Sequence, residues 1–174
     1  GDIRIHMLGR HNVLNSLAAV VLGMELGMLF PEIAAALESF EGVDRRFSVR
    51  GEANGVLVVD DYAHHPAEIT ATLSAARQGY PQRRLWAVLQ PHRYTRVQAL
   101  FTEFGRAFFA ADEVVVTDIY SAGEAAIAGV NSQTLAESIS RLSNKKASAT
   151  GDLDATLEHL IRRVEPGDLV LMLG

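Results

Sequence analysis

The sequence predicts an open, doubly wound α/β fold: a mostly parallel sheet that begins with a β-hairpin and is preceded by two helices. Three observations carry this. From about Val43 onward, short valine- and leucine-rich runs alternate with stretches of helical period. Two strand-like runs, Phe47 to Ala53 and Val56 to Asp61, are joined by Asn54-Gly55, a dipeptide suited to the positive φ angles of a tight hairpin turn. The first forty residues, by contrast, show helical periodicity only. Strands alternating with helices imply parallel pairing through right-handed crossovers, the Rossmann-like arrangement.

Taken in order, the first helix is expected from Asn12 to Leu26, with Leu14, Leu17, Ala18, Val21 and Leu22 at helical spacing and Gly27 as a stop. A second helix starts at Pro31, carries Ile33, Ala36, Leu37 and Phe40 on one face, and ends at Gly42. After the hairpin come a helix over Pro66 to Gln78 with Ile69, Leu73 and Ala76 inward, and a buried strand from Leu85 to Gln90. A single helix is expected over Arg96 to Ala110, with Val97, Leu100, Phe101, Phe104 and Phe108 on one stripe. A valine-rich strand (Glu113 to Asp118), a helix (Asn131 to Leu142), a weak strand near Ala147, a helix (Asp152 to Val164) and a last strand (Asp168 to Leu173) complete the chain. Residues 1–42 stand outside the alternation and read as the tail of a preceding domain, with 43–174 as the α/β domain. Both ends of the chain look cut. The apolar faces of the two leading helices are then free to pack loosely or against another copy.

The 174 residues are 48% hydrophobic and 21% charged, enough for a core, and the net charge is −5. An acidic chain of this kind is a poor reader of nucleic-acid phosphates. No apolar run approaches the roughly 18 residues that span a bilayer, no secretory signal opens the chain, and cysteine is absent, which fits a cytoplasmic protein.

In open parallel sheets, ligands bind beyond the carboxyl ends of the strands. Three polar loops fall there: Asp60-Asp61-Tyr62-Ala63-His64-His65-Pro66, Gln90-Pro91-His92-Arg93-Tyr94-Thr95-Arg96, and Asp118-Ile119-Tyr120-Ser121-Ala122-Gly123-Glu124. The first two follow strands joined by a single crossover, which makes them neighbours. Arg93 and Arg96 at a helix start suit a carboxylate or phosphate; the competing reading is a solvated, capped helix end. For Asp60 and Asp61, capping or turn formation is the stronger reading of the residues alone. His64 and His65 are adjacent, so their side chains point apart, which disfavours a metal site. A second polar cluster opens the first helix, where His11, Asn12 and Asn15 share one edge; amides there can pair with an adenine edge, although capping by Asn12 explains the spacing as well. Arg45-Arg46-Phe47 sits at the domain junction, where ligand clefts are common. Neither a G-x-x-x-x-G-K-[ST] nor a G-x-G-x-x-G fingerprint is present.

Gly9-Arg10-His11-Asn12-Val13-Leu14-Asn15, Arg45-Arg46-Phe47, Asp60 to Pro66, Gln90 to Arg96 and Tyr120-Ser121-Ala122-Gly123-Glu124 together resemble the ordered motifs of the Mur ligases. Pro91-His92-Arg93-Tyr94-Thr95-Arg96 is similar to the branch that adds L-alanine to UDP-N-acetylmuramate, rather than to the branch that recycles murein peptides. The resemblance implies a three-domain enzyme of peptidoglycan synthesis in which ATP, with Mg2+, phosphorylates the lactyl carboxylate and the L-alanine amine attacks the acyl phosphate. It further implies that His11, Asn12 and Asn15 contact the adenine side of ATP, that Arg46 and Asp61 reach the nucleotide, and that Tyr62, His64, His92, Arg93 and Arg96 line the site for L-alanine and the acyl group. Arg46, Asp61 and His64 are the catalytic candidates, and no protein metal ligand is expected within this chain. Because the phosphate loop and the UDP-sugar domain are missing, the 174 residues are expected to be inactive alone. A stand-alone α/β binding module, and a metal-dependent hydrolase using Asp61, His64 and His65, are the readings from other classes.

Overall fold

The computed structural model describes all residues, 1–174. Two helices, α1 (Arg10–Glu25) and α2 (Phe30–Ser39), precede a six-stranded sheet. The strands are β1 (Ser48–Ala53), β2 (Val56–Asp61), β3 (Leu85–Leu89), β4 (Glu113–Thr117), β5 (Lys146–Gly151) and β6 (Leu169–Leu173), in the spatial order β1-β2-β6-β3-β4-β5. Only β1 is antiparallel, paired with β2 across the hairpin; all other pairs are parallel. Helices α3 (Pro66–Gly79), α4 (Tyr94–Ala99), α5 (Phe101–Arg106), α6 (Ser132–Ser143) and α7 (Leu153–Ile161) connect them.

The hairpin turn forms because Asn54 and Gly55 both take positive φ, 51° and 77°. The core lies between the sheet and α3 to α6, where Ile69, Leu73, Val97, Phe104, Phe108, Leu135 and Ile139 are fully buried against Val59, Leu89 and Leu171. On the opposite face Trp86, Val88, Val115, Val170 and Leu160 form a smaller cluster. β3 is buried along its whole length, as expected of a central parallel strand.

Three expectations need correction. The crossover from β2 does not lead to its neighbour: β6 lies between β2 and β3, paired in parallel with both. The helix foreseen over Arg96 to Ala110 is two short helices that end at Arg106; Leu100 leaves helical geometry (φ −116°, ψ 25°) while its carbonyl still accepts from Phe104 N. Val97 and Phe104, one on each side of the break, are both fully buried. The first helix does not bury its apolar stripe. Leu14, Leu17, Val21 and Leu22 are more than half exposed, whereas Ser16 and Gly23 are buried. The reason is the packing partner: Ile33 of α2 lies so close to Gly23 that a Cβ there would meet its Cδ1 at 2.8 Å, so the small-residue face of α1 takes the contact.

A candidate nucleotide cavity and amino-acid cleft

The parallel strands carry their following loops to one edge of the sheet, and α3 and the residue 40–47 linker close that edge on the side of α1. Two adjoining features result.

The first is a cavity of about 610 Å³ between α1, α2, the linker and the start of α3. His11, Asn12, Asn15, Arg46 and Asp61 all line it. These residues come from three separate stretches of sequence. Apolar wall is supplied by Met7, Leu37, Phe40 and Phe47, and Glu68 lies on the same lining. Asn12 does not cap the helix. Its Nδ2 donates to Leu8 O at 2.8 Å, and the N-cap position is Gly9. The Arg46 guanidinium has no carboxylate within ion-pair distance and sits 5.9 Å from the Tyr62 ring centre.

Asp61 is buried, and it is a joint. One carboxylate oxygen accepts from Phe47 N at 2.8 Å; the other accepts from Ala63 N at 2.8 Å and from Thr72 Oγ1 at 3.3 Å. It thereby ties the linker, the loop after β2 and α3 together, which is the turn-forming role the residues alone favoured. Asp60 faces the other way, 2.7 Å from Arg50 and 3.5 Å from Arg45.

The second feature is a cleft of rings. Tyr62 meets His64 edge-on at 4.8 Å, His64 faces His92 at 6.3 Å, and His92 stacks on Tyr120 at 5.2 Å. The stacking follows from backbone pairing: Arg93 N donates to Tyr120 O and Tyr120 N to Pro91 O, both at 2.8 Å, so the second and third loops are stitched together. The three loops thus converge although β2 and β3 are not neighbours. His64 Nδ1 is 2.8 Å from Tyr62 O, and Arg96 Nη1 is 3.4 Å from His92 Nδ1. Burial, then the charges of Arg96, Arg93 and His64, lower the His92 pKa against an opposing pull from Glu124. His65 turns away from His64, its Nδ1 accepting from Ala67 N at 3.4 Å to cap α3.

Two carboxylates that the sequence reading did not select hold this cleft. Glu68 Oε2 accepts from His64 N and His65 N at 3.1 and 3.2 Å and lies 3.9 Å from His64 Nδ1. Its burial would raise its pKa, but those two N–H groups and the charges of His64 and Arg46 outweigh burial and lower it. The signal was legible as a capping box, with Glu three residues after the N-cap. Glu124 accepts from Thr95 N at 3.0 Å and Thr95 Oγ1 at 2.8 Å, bonds that depress its pKa. This changes the expectation for the arginines. The amide at the start of α4 is already taken by Glu124, α4 has only six residues, and Arg96 belongs to its last turn. Arg93 is exposed at the N-cap position and makes no ion pair, so anion attraction there rests on the guanidinium alone.

Residues 45–174 match the family model described as Mur ligase, glutamate ligase domain. The chain belongs to the Mur ligase family. Among curated relatives it is 50% identical over all 174 residues to UDP-N-acetylmuramate–L-alanine ligases of Geobacter sulfurreducens and Geotalea daltonii, covering the whole chain and 38% of each relative. Among solved structures, the UDP-N-acetylmuramate–alanine ligase of Thermotoga maritima matches with TM-score 0.79 and 33% identity, over 99% of this chain and 36% of that one. A murein peptide ligase of Psychrobacter arcticus matches with TM-score 0.72 and 27% identity, over 99% and 35%. The chain therefore spans less than two fifths of the length of the curated Mur ligases it resembles. No helix is long and apolar enough to cross a membrane.

Proposed function

We propose that these residues are the amino-acid-binding part of an ATP-dependent ligase that joins L-alanine to UDP-N-acetylmuramate, in the cytoplasmic stage of peptidoglycan synthesis. In this reading residues 1–42 are the tail of the central ATPase domain and 43–174 the C-terminal domain.

The observation that carries the proposal is the cavity. Five residues singled out from the motifs line one space, which adjoins the three-loop cleft. Its chemistry fits an adenine nucleotide. Amide and imidazole groups of His11, Asn12 and Asn15 offer donors and acceptors to a purine edge, apolar side chains offer contact to its faces, and Arg46 is a cation free to meet phosphate. Asp61 supports the nucleotide side mainly by holding Phe47, and with it the adjoining Arg46. ATP would supply the phosphoryl group that activates the acyl carboxylate. Mg2+ would arrive with the ATP phosphates.

In the cleft, Arg93 attracts the amino-acid carboxylate, His92 and Arg96 line its seat, Tyr62 walls the cleft, and His64 stands where an amine must be deprotonated. A closed, water-poor cleft protects an acyl phosphate from hydrolysis. The curated relatives at about 50% identity favour the alanine-adding ligase over the murein-peptide ligase.

The test is reconstitution. A protein of the relatives' length containing this segment is expected to form UDP-N-acetylmuramoyl-L-alanine from ATP, UDP-N-acetylmuramate and L-alanine, and the 174 residues alone to form none. ATP-dependent product from the 174 residues alone, or none from the longer protein, would overturn the reading.

A further inference from the structure

The two imidazoles that face each other across the cleft are held by partners of opposite kind. Tyr62 O, 2.8 Å from His64 Nδ1, is a carbonyl and can only accept, so Nδ1 of His64 must carry the hydrogen. Arg96 Nη1, 3.4 Å from His92 Nδ1, can only donate, so Nδ1 of His92 must be bare. In the neutral rings the remaining nitrogens are then complementary. His64 keeps a lone pair on Nε2, and His92 carries N–H on Nε2; neither Nε2 has a hydrogen-bond partner in the protein.

From this geometry we infer that His64 and His92 hold opposite tautomers, giving the cleft one acceptor wall and one donor wall that orient an α-amino acid. The inference rests on the amino-acid reading of the cleft and deepens it. The ammonium of the amino acid goes to His64. One N–H bond of the ammonium breaks, its proton moves to Nε2, and the electron pair stays on the nitrogen as a free amine. The imidazolium so formed keeps its Nδ1–H bond to Tyr62 O, and the Glu68 carboxylate at 3.9 Å offsets its charge. The carboxylate of the amino acid goes to the His92 N–H, beside Arg93. The lowered pKa of His92 keeps that ring neutral near pH 7, consistent with a bare Nδ1. Arg96 is then a positioning residue: it acts through His92 and need not touch the substrate. The less common form is the one assigned to His64, since free neutral histidine favours hydrogen on Nε2, so the backbone carbonyl of Tyr62 is what makes this ring an acceptor toward the cleft.

The test uses the 174-residue chain labelled with 15N-histidine, in which only six histidines contribute. Long-range 1H–15N spectra are recorded at about pH 8.5, with His64→Gln and His92→Gln used for assignment. The expected result is a bare-nitrogen shift at Nε2 for His64 and at Nδ1 for His92. Arg96→Met is expected to leave the His64 pattern in place and to move the His92 Nδ1 shift toward a tautomer average. Hydrogen on Nε2 of His64, or on Nδ1 of His92, overturns the inference. An unmoved His92 in Arg96→Met removes the positioning role of Arg96. If that variant does not fold, the wild-type spectrum still decides the tautomers. The readout needs no ligase activity. A wrong tautomer thus leaves the ligase reading standing, and failure of the reconstitution leaves the tautomers standing.

Discussion

At the scale of single residues, the buried carboxylates organise backbone rather than meet ligand. Asp61 is the clearest case, because three donors from three segments converge on one buried side chain. Removing it strands Ala63 N in the interior and frees Phe47. Asp61→Ala is expected to cost about 3 kcal/mol in urea unfolding, the low end of roughly 1–3 kcal/mol for each of the three donors it leaves unpaired. A second such residue, Asp168, lies at the other end of the sheet. Burial would raise its pKa, but Arg84 (2.7 Å), Glu165 N and the Trp86 indole N–H outweigh burial and lower it. A depressed folded pKa means that its stabilisation is present above the unfolded value of about 3.9 and is lost as pH falls through the folded value. The melting temperature of the wild-type chain is therefore expected to drop below about pH 4, and Asp168→Asn to flatten that part of the pH dependence while lowering stability at neutral pH.

At the scale of elements, most of the architecture was legible and the reasons are local. Strand and helix periods and the Asn54-Gly55 turn are written in neighbouring residues, and apart from the helix broken at Leu100 they form close to where the pattern puts them. The place of β6 between β2 and β3 was not legible, because alternation of elements specifies crossovers but not strand order. The break at Leu100 was hidden by a stripe that stays continuous across it. In the site, the edge shared by His11, Asn12 and Asn15 and the three loops could be read directly. The service of Glu124 to Thr95, 29 residues away, could not, since nothing local links the two. The turn itself can be tested. At Gly55 φ is +77°, and a Cβ would come 3.1 Å from Pro166 Cβ. Gly55→Ala is expected to destabilise the chain by about 1–2 kcal/mol in thermal or urea unfolding, with the hairpin amides the first to lose hydrogen-exchange protection.

At the scale of the whole molecule, the sheet buries its apolar residues under its helices while α1 leaves its own exposed. α1 presents Leu14, Leu17, Val21 and Leu22 to solvent, an apolar stripe of the kind that seeks a cover. The 174 residues are expected to self-associate at high concentration in sedimentation velocity, and Leu17→Glu with Val21→Glu to shift them toward monomer without loss of helical signal. The same helix supplies His11, Asn12 and Asn15 to the cavity, so the cavity is only as well ordered as α1's seating against α3 and the linker. In the proposed ligase this cavity and the adjoining cleft serve different substrates of one ligation, and a kinetic split in the longer protein tests that division. Arg93→Ala, measured with L-alanine and ATP varied in turn, is expected to raise the KM for L-alanine at least tenfold, about 1.4 kcal/mol or more of binding, and to leave the KM for ATP within twofold. Unchanged L-alanine kinetics, or a loss confined to ATP, would contradict the account.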